Sequence, residues 1–409
     1  MLLVIGAAGA GAAYYLARKA VSDIPTVDLN RGTLAARGGA TDPVNFLLIG
    51  SDSRLDVDDS YGGDEVGGQR SDTIMIAQLD PRRDKGIVVS IPRDTRVDIP
   101  GHGADKINAA YSIGGVQLAV DTIKEFTNLP IHHYIEINFA GFSDVVDAVG
   151  GVDICVDQPI RDKMSGLDLK EAGCHHLTGE FALAYARSRS PQTFEDGKWR
   201  DDTAGDFGRI QRQQTFMRAL MKRAISVNAV GRWQELSKAV QKGVRIDEGL
   251  DFDKFMALYS KFAEMTPDKV EMLSVPGTAE MIKGVSYVVA KEPDTTNLFR
   301  TLGAARGGAA SGTDMIEISP SMQIQVKVLN GTSTMGLGAD AAARLKEKGF
   351  FVVGTGDAKQ LVQTEIRYER SNEEKAKAVR EALGVGIIVE SKQPLEGDVV
   401  VYLGKDYAS

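Results

Sequence analysis

Apolar residues along this chain fall into short β-branched runs separated by polar, glycine-containing turns, and these runs alternate with longer stretches at helical spacing. Residues 44–49, 74–77 and 86–91 are each short and apolar enough to be buried strands. Residues 114–126 place Val116, Ala119, Val120, Ile123 and Phe126 near helical spacing and predict an amphipathic helix. Residues 131–137 alternate as a strand does. A helix is expected over 139–149, stopped by Gly150-Gly151, and a strand over 152–156. Helical character returns at 179–189 and at 206–216, continues through 217–265, and gives way to a closing strand at 269–275. Strands alternating with helices imply an α/β layered domain.

After the small-residue run Gly303-Ala-Ala-Arg-Gly-Gly-Ala-Ala-Ser-Gly312 a second pattern starts. Strands are predicted at 324–329, 350–353, 366–368 and 399–403, with helices at 338–348 and 373–383. This is a small α/β domain without a phosphate loop, suited to binding or spacing. The organisation expected is an apolar segment at 1–19, a stalk at 20–42 marked by Pro25, Gly32, Gly38 and Gly39, a main domain at 43–300, a linker at 301–322 and a C-terminal domain at 323–409.

Residues 1–17 are uncharged and mostly apolar, and Arg18-Lys19 ends the run. That is slightly short of the roughly 20 residues of a spanning helix. A cleaved signal peptide would need a basic start, and a dinucleotide-binding turn on Gly6, Gly9 and Gly11 would need a second core strand after it; neither is present, so a membrane anchor is the reading preferred. The 409 residues carry a net charge of −8, which argues against a general nucleic-acid binder and leaves room for a local cationic pocket.

Charge gathers at strand ends. The first apolar run leads into Gly50-Ser-Asp-Ser-Arg54, the second is introduced by Arg70-Ser-Asp-Thr73, and the third delivers Arg93-Asp-Thr-Arg96. Two arginines flanking an aspartate suit a polyanion, because guanidinium groups fork onto phosphate oxygens while the carboxylate orients one of them. Arg187 and Arg189 form a second burst, and Arg209 and Arg212, spaced i, i+3, share a helix face. Asp52 and Asp72 are hard oxygen ligands of the kind that hold Mg²⁺. No Gly-x-Ser-x-Gly elbow occurs, and the five histidines and two cysteines have no zinc spacing. Asp94 is placed to serve as a base. Residue chemistry alone leaves open transfer to an alcohol, hydrolysis of a phosphoester, or binding of a phosphorylated ligand. Cys155 and Cys174 form either a disulfide across a loop or two buried thiols.

The segments Asn45-Phe-Leu-Leu-Ile-Gly-Ser-Asp-Ser-Arg54, Arg70-Ser-Asp-Thr73, Ser90-Ile-Pro-Arg-Asp-Thr-Arg96, Asp105-Lys-Ile-Asn-Ala-Ala-Tyr111, Gly150-Gly-Val152, Leu183-Ala-Tyr-Ala-Arg-Ser-Arg189 and Gly208-Arg-Ile-Gln-Arg-Gln-Gln214, in this order, closely resemble the LytR-CpsA-Psr family of cell-envelope phosphotransferases. The segment from Val326 onwards resembles the LytR C-terminal domain often appended to family members.

The resemblance implies a layered α/β sheet flanked by helices around an apolar lipid tunnel, with the small α/β domain behind it. It further implies transfer of a wall glycopolymer from a polyprenyl-pyrophosphate carrier to a peptidoglycan hydroxyl, leaving a phosphodiester. Asp52 and Asp72 would hold Mg²⁺ or Mn²⁺. Arg93, Arg96, Lys106, Asn108, Arg187, Arg189, Arg209 and Arg212 would bind the pyrophosphate, and Arg93, Asp94 and Arg70 would act in the chemistry. The partners implied are the lipid-linked glycopolymer, peptidoglycan and the cytoplasmic membrane, with no nucleic acid, and the catalytic domain would lie outside the cytoplasm behind a single anchor. Cys155 and Cys174 resemble the disulfide of the actinobacterial branch, for which the glycopolymer would be arabinogalactan. The alternatives are a polyprenyl-pyrophosphate hydrolase and a DNA-binding transcriptional attenuator.

Overall fold

The computed structural model describes residues 18–36, 42–51, 71–80, 85–195, 197–202, 205–226, 229–263, 269–304, 324–334, 336–348, 350–369, 372–391, 395 and 398–407. They belong to two compact units, one drawn from 1–152, 177–183 and 217–311 and the other from 153–176, 184–216 and 312–409. The apolar residues 1–17 and residues 305–322 lie outside the described residues, while 301–304, expected to open the linker, are helical instead. Among the described residues no helix is long and apolar enough to cross a membrane.

The first unit is organised by a mixed seven-stranded sheet. In spatial order its strands are β1 (Thr26–Val27), β14 (Val244–Asp247), β7 (His133–Asn138), β2 (Val44–Ser51), β3 (Ser71–Asp80), β4 (Lys85–Ile91) and β15 (Val270–Ser274). β3 runs antiparallel to both β2 and β4, so the C-terminal ends of β2 and β4 meet the N-terminal end of β3 at one edge. β7 runs parallel to β2 and β15 parallel to β4, which brings Asn138 and Ser274 to the same edge. The described ends of these three strands, Ser51, Ser71 and Ile91, therefore share a side of the sheet because the strand directions alternate.

Both faces of this sheet are covered. Val44, Phe46, Met75, Val88 and Met272 pack with Val21, Ile24 and Ile246 in one cluster, while Leu47, Ile49, Ile74, Ile76 and Val89 are buried as well. Each such side chain removed from water contributes on the order of 1.5–3 kcal/mol. Helix α1 (Ala109–Thr127) follows the hairpin of β5 (Arg96–Ile99) and β6 (Gly103–Lys106). It starts earlier than the spacing predicted and kinks at Gly114-Gly115, where Gly115 takes φ 63°, a conformation that strains any residue with a Cβ. Helix α2 (Phe139–Ala148) begins at Asn138, whose side chain accepts from the N–H of Gly141 at 2.7 Å. A Cβ on Gly141 would meet the backbone of Gly243 at 2.2 Å, so glycine at both positions is what lets the two segments touch.

Several sequence expectations are corrected here. Residues 20–42 are not a free stalk throughout: Val21, Ile24 and Val27 are buried, and Thr26–Val27 adds the edge strand β1 to the sheet. The stretch 217–265 is not continuously helical. Helix α4 (Gly205–Ser226), helix α5 (Ala229–Gly243) and helix α6 (Phe252–Ala263) are interrupted by β14, which inserts between β1 and β7. Val244-Arg-Ile-Asp is too short for its own pattern to distinguish strand from helix, and pairing with β7 decides it. The closing strand β15 is followed by a hairpin of β16 (Gly277–Ile282) and β17 (Val285–Ala290) and by helix α7 (Asp294–Ala304).

In the second unit, β8 (Val152–Val156), which begins in the first unit, pairs with β11 (Gly173–Leu177), and a disulfide joins Cys155 to Cys174. A four-stranded sheet orders β10 (Leu167–Leu169), β9 (Ile160–Asp162), β12 (Gln192–Glu195) and β13 (Lys198–Asp201). The polar stretch 191–205 thus contains a β-hairpin, with Phe194 opposite Trp199. Helix α3 (Gly179–Arg187) ends before Arg189.

The C-terminal part is a five-stranded sheet ordered β19 (Phe351–Asp357), β18 (Gln325–Asn330), β22 (Val399–Leu403), β20 (Glu365–Tyr368) and β21 (Ile387–Glu390). With α8 (Leu337–Glu347) and α9 (Glu373–Leu383) it closes on its own core of Val326, Val328, Leu345, Ile366, Val379 and Val401.

Candidate active site

At the shared strand edge of the first unit four side chains form a chain of alternating charge. Arg93 Nη1 donates to Asp72 Oδ1, Arg93 Nε lies 3.7 Å from Asp94 Oδ2, and Lys106 Nζ is 2.9 Å from Asp94 Oδ1. All are half-buried, a setting in which charges act more strongly than on an open surface yet remain reachable by a ligand. The turn at Pro92 that presents Arg93 and Asp94 is fixed by the backbone. Thr95 N donates to Pro92 O, Asn108 N to Arg93 O and Ile107 N to Thr95 O. Lys106 is further steadied by the Tyr287 ring, 5.9 Å from its Nζ.

Asp72, Arg93, Asp94 and Lys106 are thus brought together by their side chains, and Asn108 reaches the same turn through its backbone. Arg96 is exposed on β5, opposite Lys106. Asp52 and Arg70 lie outside the described residues. Ser51, next in sequence to Asp52, pairs with Ser71, next to Asp72. Among the described residues no group of three or more His, Cys, Asp or Glu side chains could hold a metal. Asp72, a carboxylate at a strand end, has the hard oxygens a divalent cation takes, and Arg93 shares it.

Beneath this edge lies a carboxylate that sequence reasoning missed. Glu136 is 1 % exposed. It accepts from Ser51 Oγ and Tyr111 Oη at 2.7 Å each and from Tyr134 Oη at 3.0 Å, with Arg245 Nη1 3.7 Å away. Burial, then the carboxylate beside it, pushes the Tyr134 hydroxyl well above its ordinary pKa, so it stays a donor. The alternation Ile135, Glu136, Ile137 reads as a strand with its carboxylate facing water. The only signal against that was the tyrosine beside it.

The second unit holds the remaining arginines. Asp162, buried at the end of β9, accepts from Ser188 Oγ at 2.8 Å and from the N–H groups of Arg189 at 3.0 Å, Ser190 at 3.3 Å and Met164 at 2.9 Å. Burial works against this carboxylate, but the Ser188 hydroxyl and the Met164, Ser190 and Arg189 amides together hold its pKa below the ordinary value. Arg212, 7 % exposed, donates from Nη2 to Ser188 O at 2.7 Å and pairs through Nη1 with Asp202 at 3.3 Å. Ser188 is therefore gripped from both sides, and its neighbours Arg187 and Arg189 are exposed. Arg209, one turn before Arg212, is buried. Equal charges in the sequence thus divide into two arginines facing solvent and two within the fold. Asp162 and Ser188 were not among the residues expected from sequence.

Known proteins align with this picture. The model of the LytR_cpsA_psr family matches residues 8–303, and that described as LytR cell envelope-related transcriptional attenuator matches 323–407. The polyisoprenyl-teichoic acid–peptidoglycan teichoic acid transferase TagU of Bacillus anthracis is 34 % identical over 285 residues, 67 % of this chain and 84 % of that protein. The protein of the same name from Enterococcus faecalis is 36 % identical over 264 residues, 64 % of this chain and 79 % of its own. Among solved structures, TagV of B. subtilis superposes with TM-score 0.52 at 30 % identity, covering 65 % of this chain and 97 % of its own. A LytR-Csp2A-Psr enzyme of Actinomyces oris, at 24 % identity and TM-score 0.55, shares the fold over 70 % of this chain and 96 % of its own. With a family model spanning most of its length and the motif residues grouped as described, this chain belongs to the LytR-CpsA-Psr family.

Proposed function

We propose that the protein transfers a cell-wall glycopolymer from a polyprenyl-pyrophosphate carrier to a peptidoglycan hydroxyl. The observation that carries this reading is the Asp72–Arg93–Asp94–Lys106 chain at one edge of the main sheet, in a chain whose curated relatives are named as teichoic acid transferases. Arg93, Arg96, Lys106 and Asn108 of the first unit, and Arg187, Arg189, Arg209 and Arg212 of the second, are assigned to the pyrophosphate. Exposure supports a direct contact for Arg187 and Arg189, and the bonds of Arg212 support a role in holding them.

In the reaction an acceptor hydroxyl oxygen attacks the phosphorus that carries the sugar. A new P–O bond forms, the bridging P–O bond breaks, and polyprenyl phosphate leaves. The hydroxyl proton passes to a carboxylate, and Asp94, between Arg93 and Lys106, is assigned that task. Guanidinium groups neutralise the charge that grows on the phosphoryl oxygens, an effect worth about 10²–10³ in rate per well-placed donor.

Asp72 and Asp52 are proposed to hold Mg²⁺ or Mn²⁺, which when bound supplies further charge neutralisation at the diphosphate. Arg70 is assigned beside them. An apolar tunnel for the lipid, attachment to the cytoplasmic membrane through the N-terminal segment and a catalytic domain outside the cytoplasm complete the proposal. The disulfide supports an oxidising compartment.

The test is incubation of the purified protein with Mg²⁺, lipid-linked glycopolymer and peptidoglycan, reading the new phosphodiester by mass. Linked product that Arg93→Ala abolishes supports the assignment. Lipid phosphate released as fast without acceptor as with it would make the enzyme a hydrolase instead.

A further inference from the structure

The second unit contains a cleft that shares only Arg212 with the residues assigned above. Its volume is about 370 Å³, and its walls come from β12–β13, the first turns of α4, the loop after β8 and, from the C-terminal domain, β18, β19 and the start of α8. That volume falls within the range of small-ligand sites, about 300–1,000 Å³. A buried hydrogen bond between two side-chain amides ties the walls together, Gln325 Nε2 donating to Gln214 Oε1 at 2.7 Å, and Arg200 of the hairpin bridges to Asp357 of β19 at 3.2 Å.

The lining chemistry narrows the ligand. Arg200 is paired with Asp357 and Arg212 with Asp202. The further carboxylates Asp157 and Asp201 outnumber the one lysine, Lys327. Carboxylates therefore exceed cations, and a phosphate-rich segment would be repelled. Amides and hydroxyls fill the remaining polar lining, and among the described residues two buried polar atoms here have no hydrogen-bond partner, Gln158 Oε1 and Arg212 Nε. Glycines leave part of the wall without side chains. At Gly354 an added Cβ would meet nothing within 4 Å.

We infer that this cleft binds an uncharged, hydroxyl-rich glycan segment. Sugar hydroxyls both donate and accept, which matches a surface of paired carboxylates, guanidinium groups and amides, and the glycine-lined wall admits the flat side of a ring. The transferase reading supplies two sources for such a segment, the glycan strand of the acceptor and the neutral sugars of the glycopolymer. The binding itself does not depend on that reading.

Titration of the full chain by calorimetry tests the inference with three probes: a β-1,4-linked N-acetylglucosamine tetramer, an arabinogalactan-derived oligosaccharide and a poly(glycerol phosphate) oligomer. One neutral probe is expected to bind, and which of the two does so identifies the source. Gly354→Phe, which fills the cleft without straining the backbone, should weaken that binding at least tenfold with the thermal midpoint retained. Asp201→Asn, which keeps the shape and removes a charge, should weaken it severalfold and guards against a misfolded first variant. Absence of binding by both neutral probes, equal binding by the phosphate oligomer, or undiminished binding by both variants overturns it. Transfer is read separately, so an active enzyme that binds no free glycan sinks this inference alone, and a glycan-binding protein that transfers nothing sinks only the proposed function.

Discussion

The two charged sets of this protein are built on opposite plans. At the strand edge of the first unit, Asp72, Arg93, Asp94 and Lys106 pair with one another through side chains and remain partly open. In the second unit, Asp162 is buried and held by backbone amides, and Arg212 spends its guanidinium on a carbonyl and a carboxylate of the protein. The first arrangement can trade a partner for a phosphate oxygen, since its side chains stay within reach of a ligand and a phosphate oxygen accepts from a guanidinium as a carboxylate does. The second cannot, because removing one member leaves a buried polar group unpaired. Charges that look alike in sequence thus form an accessible ion-pair chain here and an enclosed frame around Ser188 there.

Substitutions can break this contrast, beginning with the largest effect. Arg93→Ala is expected to lower the transfer rate by about 10²–10³ while destabilising the fold less than Asp162→Ala does. A rate loss matched by unfolding in urea would place Arg93 in the frame instead. Asp162→Ala should do the reverse, destabilising by about 2–4 kcal/mol in the same urea experiment as Ser188 and four amides lose their acceptor. Unchanged stability would refute the frame.

Glu136→Gln keeps the shape but removes the charge that Ser51, Tyr111 and Tyr134 donate to. A loss of about 1–3 kcal/mol is expected in thermal unfolding, together with a slower rate because Ser51 adjoins Asp52. Rate and stability both intact would remove the network from the site.

The smallest effect is in pH. Because the folded-state pKa of Asp162 is depressed, its contribution is complete above the unfolded value of about 3.9 and disappears as pH falls through the lower folded value. Acid titration of wild type against Asp162→Asn should show that the variant lacks this part of the acid-side loss. Parallel curves would mean the carboxylate gains nothing from its amides.

Family membership, the alternation of strands and helices, the small C-terminal domain and the strand-end residues of the ion-pair chain were all legible in the chain. Apolar runs such as 44–49 and 86–91 are local signals, and Arg93, Asp94 and Lys106 sit in motifs a few residues long. The structure alone decided the rest. Strand β14 and the pairing of β12 with β9 depend on partners far away in sequence, and so does the docking of Val21, Ile24 and Val27 into the core. The burial of Glu136 and Asp162, and the division of four arginines into exposed and enclosed pairs, follow from what packs over them. A residue's type and its near neighbours set what it is able to do. Whether it meets water, a ligand or another side chain is fixed by long-range contacts, which no short stretch of sequence contains.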